Sequence, residues 1–230
     1  MNFLYLIPAR GGSKGLPNKN IKEFNGRPLI SYTIDAALTC TSKENICITT
    51  DSIEIKNVAE SCGVEVPFLR PAEQSTDYAS SEEVILHALA FYRSIDQIYD
   101  YVIYLQPTSP LRNQSDIKQA IASLRDNTEL LVSVKETDAN PYYVLFEENQ
   151  NGILEHTKPS VFSRRQDCPK VYELNGAIYI INVKKFLQKG YRELKMQKFV
   201  MDKINSVDID DIWDFKIAEF LMKSNLSMQT

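Results

Sequence analysis

Apolar positions along the chain switch repeatedly between a strand-like and a helix-like period. "NFLYLIP" near the N-terminus reads as a strand, and "PLISYTIDAAL" places Leu29, Ile30, Thr33, Ile34, Ala37 and Leu38 on one helical face. "NICITT" is a second strand, and "IEIKNVAESCG" a short helix ending at Gly63. After the apolar "VEVPFL", Ser80 and Glu83 form a capping box ahead of a stripe of Val84, Ile85, Ala88, Leu89 and Tyr92. His87 lies beside that stripe, where a structural role is expected. "YVIYLQP" (strand), "SDIKQAIASLRD" (helix) and "LLVSVKE" (strand) continue the alternation. Such a chain predicts an α/β fold with a mostly parallel sheet covered on both faces. Ligands of these sheets bind at the carboxyl ends of the strands.

The pattern breaks over residues 137–170. "YYVLFEENQNGILEHT" holds two alternating segments around Asn151-Gly152, a strong hairpin signal. A lone hairpin is not stable by itself, so it must pack on the domain or on a second copy of the chain. "ELNGAIYIINV" then resumes the core, followed by a short helix and "KFVMDK". A last helix after "DIDD" carries Ile212, Trp213, Phe215, Ile217, Phe220 and Leu221. The expectation is one domain, 1–230, with an inserted hairpin region at 137–170.

Composition narrows the partners. Of 230 residues, 43% are hydrophobic and 24% charged, enough for a sizeable core, and the net charge is −4. That mild acidity gives no general attraction to nucleic acid or to anionic membranes. "MNFLYLIPAR" lacks the basic start of a secretory signal, and no stretch approaches transmembrane length. The four cysteines show no CxxC or zinc spacing, which suits reduced thiols in the cytoplasm. With only His87 and His156 available, hydrolase triads and histidine-based metal sites have little to work with.

Local charge is a different matter. "IPARGGSKGLPNKN" (Ile7 to Asn20) sets Gly11, Gly12 and Gly15 among Arg10, Lys14 and Lys19, directly behind the first strand. Glycines let backbone N–H groups approach an anion, and the cations add full charges, so a phosphate cradle is expected. The spacing matches neither the Walker A loop nor GxGxxG, and a basic surface loop is the competing reading. In "VDIDD", Asp208 and Asp210 are two apart, so an extended backbone turns both carboxylates to one side, as Mg²⁺ beside a triphosphate would need. An acidic helix N-terminus fits the same spacing equally well, and Asp211 fits that role better. "YLQPTSPLR" would bring Gln106, Thr108 and Ser109 to the sheet edge, and "SRRQ" supplies Arg164 and Arg165, suited to a carboxylate.

"IPARGGSKGLPNKNI", "FLRPAE", "LQPTSPLR", "SRRQDCPKVYELNGAIYI" and "SVDID", in this order, resemble the acylneuraminate cytidylyltransferases and their legionaminate and pseudaminate relatives. The likeness runs from about Phe3 to Asp214. It implies a Rossmann-like nucleotidyltransferase domain whose insertion, the hairpin region here, mediates a homodimer. It also implies a Mg²⁺-dependent reaction of CTP with a nonulosonic acid, giving the CMP-sugar and pyrophosphate. On this resemblance Arg10, Lys14 and Lys19 hold the phosphates, with Ala9, Gly11, Gly12 and Ser13 around the nucleotide. Asn20, Arg70 and Ser81 (or its neighbour Ser80) address the nucleoside. Gln106, Thr108, Arg165 and Gln166 hold the sugar, and Asp208 and Asp210 the metal. "SKGLPNKN" looks closer to the neuraminate and legionaminate branches; N-acetylneuraminate is expected first, with legionaminic and then pseudaminic acid as alternatives. A non-catalytic sugar-nucleotide-binding regulator is the reading from another class; the presence of Asp208, Asp210 and Lys19 argues against it.

Overall fold

The computed structural model describes residues 1–12, 15–71 and 80–228, with side chains to 224. Six strands form the central sheet. They are β1 (Phe3–Pro8), β4 (Ile46–Thr49), β5 (Tyr101–Tyr104), β6 (Leu130–Glu136), β9 (Tyr172–Asn182) and β10 (Met196–Val200), in the order β10-β6-β9-β5-β1-β4. β1 pairs parallel with β4 and β5, and β10 parallel with β6. β9 runs antiparallel between β5 and β6, so the mostly parallel expectation holds with one reversed strand. The five co-directional strands therefore deliver their carboxyl ends to one edge.

Alternation along the strands explains the two-faced burial. Tyr5 and Ile7 of β1 enter one core with α1 (Leu29–Leu38), α2 (Ile53–Ser61) and α4 (Gln114–Ala122). Leu4 and Leu6 enter the other, beneath α3 (Ser81–Ser94) and α5 (Val183–Lys189). "VEVPFL" buries Val64 and Val66 but joins the sheet only through a Thr50–Leu69 bridge. Asn25 and Gly26, both at positive φ, turn the small β2 (Glu23–Phe24) and β3 (Arg27–Pro28) hairpin. α6 (Ile212–Met228) closes a third cluster, packing Phe215 and Ala218 on Leu16, Phe24 and Ile209. The expected insertion hairpin forms as β7 (Phe146–Glu148) and β8 (Leu154–His156), with Asn149 accepting the N–H groups of Asn151 and Ile153. No helix among the described residues is long and apolar enough to cross a membrane.

Candidate active site

The chain leaves β1 through Ala9, whose N–H donates to the Thr49 carbonyl of β4 at 2.9 Å. Asn20 then donates through Nδ2 to the Arg10 carbonyl at 2.9 Å, drawing the ends of the glycine loop together. The Gly11 N–H donates to Asp51 Oδ1 at 2.9 Å. Gly12 has open space where a side chain would stand. Ser13 and Lys14 lie outside the described residues. Gly15 is indispensable for packing, since a Cβ there would stand 2.3 Å from the Asp210 carbonyl oxygen.

Lys19 is buried. Its Nζ donates to the Ile209 carbonyl and stands 3.7 Å from Asp210 Oδ1. The basic loop and the acidic segment are thus one unit. That segment is also tied to the loop after β5, where the Ile209 N–H donates to the Thr108 carbonyl at 2.9 Å. Between them lies Gly176 of β9, at φ 71°; a Cβ there would fall 2.8 Å from Gln106 Oε1 and 3.1 Å from Asp208 Oδ2. Gln106, Thr108 and Asp208 therefore meet over a bare backbone.

The two readings of "VDIDD" divide between its residues. Asp211 caps α6, accepting the N–H groups of Trp213 and Asp214 at 2.7 and 3.0 Å. Asp214 returns the bond to the Asp210 and Asp211 N–H groups. Asp208 and Asp210 are not used this way. Burial raises the Asp208 carboxyl above its ordinary range, with a Thr108 bond opposing the shift, Asp210 adding to it and Lys19 opposing it. Asp208 Oδ1 is buried without a hydrogen-bond partner, whereas the Asp210 side chain is 85% exposed. An orphaned carboxylate oxygen beside a second, exposed carboxylate is a donor set that fits Mg²⁺, which takes one or two carboxylates and completes its shell with water and phosphate. No group of three or more His, Cys, Asp or Glu stands together among the described residues.

On the far side of the loop, Arg70 is buried and its N–H donates to the Thr50 carbonyl at 2.7 Å. Burial lowers its pKa, Asp51 and Tyr104 oppose that, and Arg10 adds to it. Ser80 is committed to the cap of α3, reciprocally bonded with Glu83. Ser81 is the serine that meets the sheet edge, with its Oγ 3.3 Å from the Tyr104 hydroxyl. His87 packs edge-on against Phe68 at 4.6 Å, as a structural histidine should.

Arg165 and Gln166 sit on the short turn Arg165–Asp167. The Arg165 guanidinium pairs with Asp138, which Lys203 also holds at 2.7 Å. These partners lie just beyond β6 and β10, so Arg165 stands at the carboxyl edge of those strands. Arg164 is not a bare surface charge: its fork engages both Asp167 oxygens at 2.8 and 3.1 Å.

Sequence reasoning missed the supports beneath the site. Arg112 is buried and bonds the carbonyls of Gln106 (3.1 Å) and Ala177 (2.9 Å) and the Thr33 hydroxyl (2.7 Å). Burial pushes its pKa down to about 10. Asn175 joins Ser133 and Ser206 at 2.6 and 2.8 Å, fixing β6, β9 and the approach to Asp208. Ser133 and Asn175 signalled themselves as polar types in or beside apolar runs, whereas Arg112 lies in the polar stretch "TSPLRNQSD". Residue type cannot reveal a partner.

A family model described as Cytidylyltransferase matches residues 4–225. A pseudaminic acid cytidylyltransferase of Campylobacter jejuni is 35% identical over 98% of both chains. A CMP-N,N'-diacetyllegionaminic acid synthase of Legionella pneumophila is 34% identical, again over 98% of both. An N-acylneuraminate cytidylyltransferase of Escherichia coli is 37% identical over 94% of this chain and 51% of its own. The solved structure of a CMP:2-keto-3-deoxy-manno-octonic acid synthetase complexed with CTP superposes with a TM-score of 0.68, at 16% identity, over 98% of this chain and 100% of its own. That last likeness speaks for the fold alone. The full-length matches in sequence go further: this chain belongs to the cytidylyltransferase family.

Proposed function

We propose that the protein activates a nonulosonic acid with CTP, giving the CMP-sugar and pyrophosphate. The observation that carries this reading is the direct packing of the glycine loop on the Asp208–Asp210 segment through Gly15 and Lys19. A cradle for anionic phosphates beside two carboxylates is the arrangement that transfer at an α-phosphorus requires. The anomeric hydroxyl of the sugar attacks the α-phosphorus, the bond to pyrophosphate breaks, and the hydroxyl proton is released to water. Mg²⁺ held by Asp208 and Asp210 would supply charge neutralisation for the phosphates. Arg10, Lys14 and Lys19 stabilise the charge that gathers on the leaving oxygens. Ala9, Gly11, Gly12, Ser13, Asn20, Arg70 and Ser81 locate the nucleotide, while Gln106, Thr108, Arg165 and Gln166 orient the sugar. Neither histidine is assigned a role: His156 packs tilted on Phe146, and His87 edge-on against Phe68. Catalysis rests on positioning and charge, as is common in phosphoryl-type transfer.

Relatives named for pseudaminic, legionaminic and neuraminic acids are about equally similar, so the reading extends to the class. N-acetylneuraminate, suggested by the loop pattern, enters on the same footing as the other two acids. Four free thiols suit a reducing cytoplasm, and the exposed hairpin suits a homodimer. Pyrophosphate release from CTP and Mg²⁺ with each of the three acids is the test. One acid should stand out by turnover; release with none would overturn the reading.

A further inference from the structure

An acidic side chain in a phosphate cradle poses a problem, since it repels the ligand the cradle is built to hold. Asp51 is that side chain. It follows β4, between Thr50 and Ser52. Thr50 accepts the Arg70 N–H through its carbonyl and the Ser52 N–H through its hydroxyl, while Ser52 caps α2 by accepting the Ile55 N–H. Both neighbours are anchored, so the carboxylate has little freedom. Its Oδ1 takes the Gly11 N–H at 2.9 Å, and its charge supports the buried Arg70 guanidinium. The loop approaches this corner closely: a Cβ on Gly11 would stand 3.1 Å from Ser52 Cβ.

We propose that Asp51 is a positioning residue for the nucleotide, fixing the first turn of the glycine loop through the Gly11 N–H. The inference rests on the reading of the loop as the CTP site. Its sign distinguishes it from simple electrostatics. Removing a negative charge near a triphosphate should by Coulomb's law tighten binding. Removing the group that shapes the cradle should weaken it, because the loop must then be ordered by the ligand.

Calorimetric titration of CTP into the wild type, Asp51→Asn and Asp51→Ala separates the two. Asn keeps an acceptor for Gly11 and loses only the charge, so Asp51→Asn should bind CTP at least as tightly as the wild type, whereas Asp51→Ala removes the acceptor and should weaken CTP by about tenfold, the scale of one charge-assisted hydrogen bond. KM for the sugar should stay near the wild-type value in both. Asp51→Glu keeps the charge but displaces the acceptor, and should also lose affinity. Melting curves for all three guard against general unfolding. CTP binding by Asp51→Ala equal to or tighter than that of the wild type, or full retention by Asp51→Glu, would overturn the positioning role while leaving the nucleotide site intact. Absence of CTP binding by the wild type would overturn both.

Discussion

At the start of α3 two adjacent serines have separate duties. Ser80 closes the capping box with Glu83, whereas the Ser81 hydroxyl meets Tyr104 at the edge where the nucleoside is proposed to lie. Ser80→Ala should therefore cost about 1 kcal/mol, roughly a 2–4 °C lower melt, with CTP affinity unchanged. Ser81→Ala should do the reverse, and titration beside a thermal melt checks both. Arg165 presents another residue-scale choice. Its pairing with Asp138 holds the guanidinium at the carboxyl edge, where a substrate carboxylate is proposed to replace that partner. Arg165→Ala should lower kcat/KM for the sugar by roughly thirty- to a thousand-fold, from about 2–4 kcal/mol of lost transition-state binding, with CTP affinity little changed. Arg165→Lys should not restore it, because a lysine cannot reproduce two parallel bonds. Steady-state kinetics against each substrate decides.

Elements bring these residues together by contact between backbones. Gly15 lies so close to the Asp210 carbonyl that Gly15→Ala must push the loop off the acidic segment. It should lower both the melt and turnover, whereas Gly12→Ala, which meets nothing within 4 Å, should leave the melt unchanged. Asp210→Asn tests the same segment from the other side. Its side chain is exposed, so the melt should stay near wild type while Mg²⁺-dependent turnover falls by about a hundredfold, the scale of losing a group at a metal site. Activity over a Mg²⁺ titration, paired with the melt, provides the readout; wild-type turnover would remove the metal role. The α6 cap belongs to this scale too, because Asp211 takes the helix N-terminus and leaves Asp208 and Asp210 for the cleft.

For the whole molecule, the sheet settles the core and leaves the hairpin outside it. Phe146, Ile153 and Leu154 are exposed, Leu154 by 65%, and a three-residue ladder cannot hold such side chains in water on its own terms. A second copy is the proposed cover. Light scattering at micromolar concentration should give the mass of a dimer, and Leu154→Asp with Phe146→Ser should give a monomer with an unchanged monomer fold. A wild-type monomer would remove the proposal.

Much of this was legible in the chain itself wherever the physics is local. Periodicity placed the helices and strands, the Ser80–Glu83 spacing placed a cap, and Asn151-Gly152 placed a turn, because each depends on neighbours within a few residues. The glycine loop and "VDIDD" announced their chemistry by composition, and the ordered motifs announced the family. What composition could not supply was distance. The reversed direction of β9, the seat of Gly15 on Asp210 and the bond from Lys19 to Ile209, 190 residues apart, exist only once the core has packed. The same holds for Asp51 reaching Gly11, Arg112 bracing Gln106 and Arg165 finding Asp138. A residue's type states which bonds it can make, whereas its partner is chosen by the packing of strands and helices that the apolar pattern brings together.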